Sequence, residues 1–96
     1  MMAKQQYRSE IGILNDILGV IADSGRNGVG ISAITRAANV SHSSVNEKCQ
    51  KLVDANLVNA VKDDRGNTFF ITESGIIFLE QLRRFTQTMK SMNIRY

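Results

Sequence analysis

The sequence predicts a mostly α-helical domain carrying one small β-hairpin, an α+β fold. Three observations point that way. The 96 residues contain no proline, and three of their seven glycines fall between 25 and 30, so the backbone breaks are concentrated rather than spread. In four segments apolar residues recur at three- and four-residue spacings, the period of a helix with one buried face. In one segment that period gives way to alternation around the turn-forming stretch "DDRGN".

In the first helix Ser9 stands where an N-cap is needed. Ile11, Leu14, Ile17, Leu18 and Ile21 then form a stripe, and Gly25 ends the helix. "RNGVG" reads as a turn. "GISAITRAANV" predicts a short second helix with Ser32 as its cap and Ile34, Ala37 and Ala38 as a narrow apolar face. Asn39 suits a left-handed C-terminal position, and Ser41 is placed to cap a third helix over 42 to about 56. There Val45, Cys49, Leu52 and Val53 fall at i, i+4, i+7 and i+8, one buried stripe, with Ser43, Glu47, Gln50, Lys51 and Asp54 opposite. "LVNAVKD" and "NTFFIT" read as two strands around "DDRGN", whose glycine supplies a positive φ. Thr72 caps a last helix, from 73 to about 93, with Glu73 favourably placed on its N-terminal dipole.

Hydrophobic residues at 43% and charged residues at 22% are ordinary for a globular protein, so disorder is not expected. One cysteine cannot form an intramolecular disulfide, and no Cys/His cluster has metal-ligand spacing; neither a metal nor a cofactor is expected. No apolar run approaches the roughly 18 residues of a membrane span, and "MMAKQQYRSE" is too polar for an export signal, so a cytoplasmic protein with no membrane partner is expected. The net charge of +3 tilts partners mildly toward polyanions. Its distribution is more telling, because Arg83, Arg84, Lys90 and Arg95 follow residue 81 with no acidic residue among them.

Three helices followed by a hairpin is the order of a winged helix-turn-helix, with the second and third helices as the helix-turn-helix and the hairpin as the wing. The residues "ITRAANVSHSSVNEKCQKLVDANLV" and "FFITESGIIFLEQL" resemble the small archaeal winged-helix regulators. The resemblance runs through Ile34, Ala38 and Ser41 ahead of the third helix, Leu52, Leu57 and Val58 at the first strand, and Thr72, Gly75, Phe78 and Leu79 at the last helix. It covers roughly 10–92. It implies DNA binding as a homodimer, either sequence-selective or architectural, with residues 1–72 as the DNA-binding domain. Residues 73–96 would be a C-terminal coiled-coil dimerisation helix within the same compact unit.

On that reading the third helix enters the major groove of double-stranded DNA. His42, Ser43, Ser44, Asn46 and Gln50 would face base edges, the amides being suited to adenine, with Glu47 on the same face. Arg36, Lys51, Lys62 and Arg65 would contact phosphate. Each of these residues also fits a merely solvated position. The third helix has no net charge, since Glu47 and Asp54 offset Lys48 and Lys51, and this also suits a winged-helix module that binds a protein of the transcription machinery. Catalysis is not expected: Cys49 lies in the apolar stripe, and His42 is two turns away, about 10 Å by helical rise. In the last helix Phe78, Leu82, Phe85, Met89 and Met92 follow the 4-3 spacing of a heptad seam, with Leu79 and Ile76 beside it to pack on the domain. A small core can hardly cover so long a seam, and pairing with a second copy is expected, the alternative being that this helix folds back onto the first helix.

Overall fold

A computed structural model describes residues 9–94. The polar stretch 1–8 and Arg95 of the basic run lie outside the described residues. Helix α1 spans Glu10–Asp23 and is followed by a single 3-10 turn, Gly25–Asn27. A two-residue strand β1, Val29–Gly30, leads directly into α2, Ile31–Ala38. Then come α3, His42–Asp54, the hairpin strands β2, Val58–Asp63, and β3, Gly66–Ile71, and finally α4, Glu73–Ser91.

Three of the expected caps form. The Ser9 hydroxyl accepts the Gly12 N–H at 3.0 Å, Ser41 accepts that of Ser44 at 3.3 Å, and Thr72 accepts that of Gly75 at 2.9 Å. Each satisfies a donor that the first helical turn leaves open. Asn39 takes up the left-handed conformation (φ 56°, ψ 52°) that ends α2 and turns the chain into α3.

Ser32 does not cap α2. Gly30 is the capping residue, extended at φ −93° and ψ 173°, and α2 has no side-chain cap hydrogen bond. The stretch read as a turn holds a third strand. β1 pairs with β3 (Val29 opposite Phe69, Gly30 opposite Thr68), so β3 is central and the sheet runs β1-β3-β2. α3 also ends two residues early, at Asp54, where Ala55 and a left-handed Asn56 (φ 63°) turn the chain into β2.

One core joins every layer. Ile17, Leu18 and Ile21 of α1 meet Ile34 and Ala38 of α2, and Val45, Cys49 and Leu52 of α3. Val58, Phe69 and Leu79 close it from the strands and α4. Ile11 and Ala37, expected inside, are exposed, because α1 turns its first residues past the end of the core and α2 buries only Ile34 and Ala38. The hairpin projects from this body, and only Val58 of β2 is buried.

Helix α4 packs against α1, and its inward residues are the buried Gly75, Leu79 and Thr86 and the half-buried Leu82 and Met89. The heptad seam is therefore divided. Leu82 and Met89 turn toward the domain, while Phe78, Phe85 and Met92 remain 37%, 51% and 61% exposed. Ile76, expected on the domain side, is exposed.

Candidate nucleic-acid interface

One concave region of the described surface is built by α2, α3 and the hairpin together. The hairpin turn bends back over the start of α2 and the first residue of α3, enclosing an open cleft of about 610 Å³. Arg36 enters it from α2, His42 from α3 and Arg65 from the hairpin, with Ser32 and Asn67 between them. The hairpin turn is held by its own chemistry: Asp63 pairs across the strands with Gly66, and its carboxylate accepts the Arg65 N–H at 2.9 Å. Gly66 takes φ 118°, which fits the backbone to the two-residue loop. Arg65 is therefore fixed in its backbone while its side chain stays exposed.

Beyond His42, α3 presents Ser43, Asn46, Glu47 and Gln50 to solvent, and Ser44 is half-buried beside its cap. The Gln50 amide donates to Asp54 at 2.9 Å, one turn further along the helix. Lys48 and Lys51 occupy another edge of α3, where both meet Glu10 at the start of α1. The Lys51 ammonium donates to Glu10 Oε2 at 2.6 Å, and Lys48 lies 3.6 Å from the same oxygen and 3.5 Å from Glu47. Lys51 draws the Glu10 carboxyl below its ordinary range, by hydrogen bond first and charge second, and Glu10 raises Lys51 in return. Lys62 stands exposed on β2, opposite Asn67.

Of the ten residues expected to contact DNA, the cleft thus gathers three: Arg36, His42 and Arg65. Ser32, read as a helix cap, and Asn67, read as part of the hairpin turn, were not expected to line it, since neither carries a charge. Glu10 was also missed: 41 residues separate it from Lys51. Cys49 is 1% exposed, and burial pushes its thiol up to about 11, so it behaves as a small apolar side chain. Among the described residues, no helix is long and apolar enough to cross a membrane.

A family model described as winged helix-turn-helix matches residues 7–90. The chain belongs to the winged helix-turn-helix family. The hairpin is its wing, and α2 and α3 are its helix-turn-helix. Among solved structures it is similar to Sso10a-2, a DNA-binding protein from Sulfolobus solfataricus, with TM-score 0.78 and 18% identity over 90% of this chain and 86% of that one. AF1382 from Archaeoglobus fulgidus gives TM-score 0.68 and 26% identity over 79% of this chain and 86% of that one. MepR, a transcription regulator of the Staphylococcus aureus multidrug efflux pump MepA, gives TM-score 0.69 and 18% identity over 83% of this chain. This chain spans only 60% of MepR. A MepR mutant bound to an oligodeoxyribonucleotide matches at TM-score 0.69 and 19% identity, over 83% of this chain and 60% of that one. No curated protein sequence matches the chain.

Proposed function

We propose that this winged-helix protein is a homodimeric transcription regulator that binds double-stranded DNA, with no catalytic role. The observation that carries the reading is the convergence of Arg36, His42 and Arg65, from three separate elements, on one cleft beside the exposed start of α3. Two arginines flanking a helix N-terminus are suited to grip phosphate on either side of a groove while that helix enters it. His42, Ser43, Ser44, Asn46 and Gln50 would then read base edges, with Glu47 at their margin. Arg36, Lys62 and Arg65 would contact phosphate, joined by Lys51 once it leaves Glu10. The described functions of Sso10a-2 and MepR support the same direction.

Dimerisation would use the outer stripe of α4, Phe78, Phe85 and Met92, with the half-buried Leu82 and Met89 at its border. A second copy seated there covers apolar surface that α1 leaves open, and a two-fold pair places two α3 helices on two half-sites.

The zero net charge of α3, together with lysines already held by Glu10, favours a second reading, in which these faces bind a protein partner or serve an architectural role in chromatin. Fluorescence anisotropy with labelled duplexes, titrated with salt, separates the readings. DNA binding predicts affinity that falls steeply between roughly 50 and 200 mM salt and weakens on Arg36→Ala or Arg65→Ala. No binding to any duplex at low salt overturns the DNA reading and leaves the protein-partner one. Selection of an enriched site from random duplexes separates a sequence-selective regulator from an architectural protein.

A further inference from the structure

Glu10 has no counterpart in the interface just described, yet it holds the two lysines of α3. Its Oε2 receives the Lys51 ammonium at 2.6 Å and lies 3.6 Å from that of Lys48. Lys51 borders the outward face of α3: it lies one turn beyond the exposed Glu47, at i+4, so these two side chains are neighbours on the helix surface. Lys51 and Glu10 are both about half exposed, at 53% and 50%, so the pair is open to solvent and to exchange with another anion. Lys48 is tucked in at 12% and is braced by Glu47 as well, which leaves Lys51 as the lysine that can change partners. A carboxylate oxygen bridging two ammonium groups offers the charge and acceptor geometry that a phosphate oxygen would supply.

We infer that Glu10 competes with DNA phosphate for Lys51, restraining the sequence-independent affinity of the α3 face so that base contacts decide where the protein stays. This rests on the DNA-binding reading. Non-specific affinity follows the number of phosphates neutralised, each contributing about 0.9 to the slope of log K against log salt. A lysine already paired within the protein gains less from a phosphate, because it exchanges one anion for another.

The test uses the full chain and a labelled mixed-sequence duplex, with affinity measured across a salt series for the wild type, Glu10→Gln, Lys51→Gln and the double variant. Circular dichroism verifies that α1 is retained. Glu10→Gln is expected to bind several-fold more tightly at low salt, with a slope steeper by about 0.9. Lys51→Gln should cost little in the wild type but abolish the gain in the Glu10→Gln background, which a simple change of net charge would not do. Unchanged or weaker binding by Glu10→Gln, or a gain that survives Lys51→Gln, overturns the inference while DNA binding stands. If neither the wild type nor Glu10→Gln binds a duplex, the DNA-binding reading itself fails.

Discussion

Gly75, in the first turn of α4, rests directly against the carbonyl oxygen of Leu57, leaving no room for a single carbon between them. That carbonyl also accepts the Thr72 N–H at 3.1 Å, and the Thr72 hydroxyl donates to the Asn56 carbonyl at 2.8 Å while capping α4. A Cβ at position 75 would meet fixed backbone, and Ile71 Cγ1 at 2.8 Å besides. Gly75→Ala should therefore destabilise the fold by about 1–3 kcal/mol or more, despite the ~1 kcal/mol that alanine gains as a helix former. Urea unfolding beside the wild type measures the difference, and an equal or raised midpoint would contradict it.

Asn39 carries the left-handed turn between α2 and α3 with φ 56°. Asn39→Val should cost about 1–2 kcal/mol, since a branched Cβ collides with the following carbonyl there. Asn39→Gly, which has no Cβ, should cost clearly less. Thermal melts of the two variants would refute this if valine proved the milder change.

Cys49 is buried, and its thiol is raised from 9.0 to about 11 by that burial. The unfolded chain ionises first, so the stability Cys49 contributes is fully present below about 9 and is lost as pH rises from about 9 toward 11. In the folded protein the thiol should resist a maleimide or Ellman's reagent at neutral pH, reacting only when urea opens the core. Rapid labelling of the native state would place it at the surface.

The opposite sign applies to Glu10, whose carboxyl is drawn below 4.5 by the Lys51 hydrogen bond and charge. Its contribution is present above about 4.5 and is lost as pH falls through the lowered value. Because the pair is exposed, salt should weaken it. NMR titration of the Glu10 side-chain carboxyl should give a midpoint below 4.5 that rises toward it in high salt or in Lys51→Gln. A midpoint at the ordinary glutamate value in dilute buffer would mean that the contact is absent in solution.

Phe85 is 51% exposed on the outer stripe of α4. Phe85→Glu should leave the monomer fold near wild-type stability while shifting sedimentation from a dimer to a single chain at micromolar concentration. A wild type that already sediments as a single chain at that concentration would remove the dimer from the proposal.

The helices, their order and three of their caps were legible because each depends on neighbours within a turn: Ser9, Ser41 and Thr72 bond to residues three positions on. Strand β1 was not. Two residues carry no period, and the partners of Val29 and Gly30 lie far along the chain at Phe69 and Thr68. In α4 the sequence holds two interleaved 4-3 series, one through Phe78 and Phe85 and the other through Leu79 and Thr86, with Leu82 and Met89 in both. Periodicity alone does not say which series turns inward. The close approach to Leu57 decides it by drawing Gly75, and with it Leu79, against the domain. The gathering of Arg36, His42 and Arg65 was likewise outside local reach, because it follows from how the hairpin leans over α2.

Gly30 is both the last residue of β1 and the cap of α2, so no loose residue separates sheet from helix. β1 is bonded to β3, which is also the inner strand of the wing. The wing and α2 therefore behave as one bent lever without slack. A force that tilts the wing tip around Arg65 reaches the helix bearing Arg36 through backbone hydrogen bonds and one continuous chain. The backbones that carry the two arginines are thus joined, like the arms of a caliper, at Gly30.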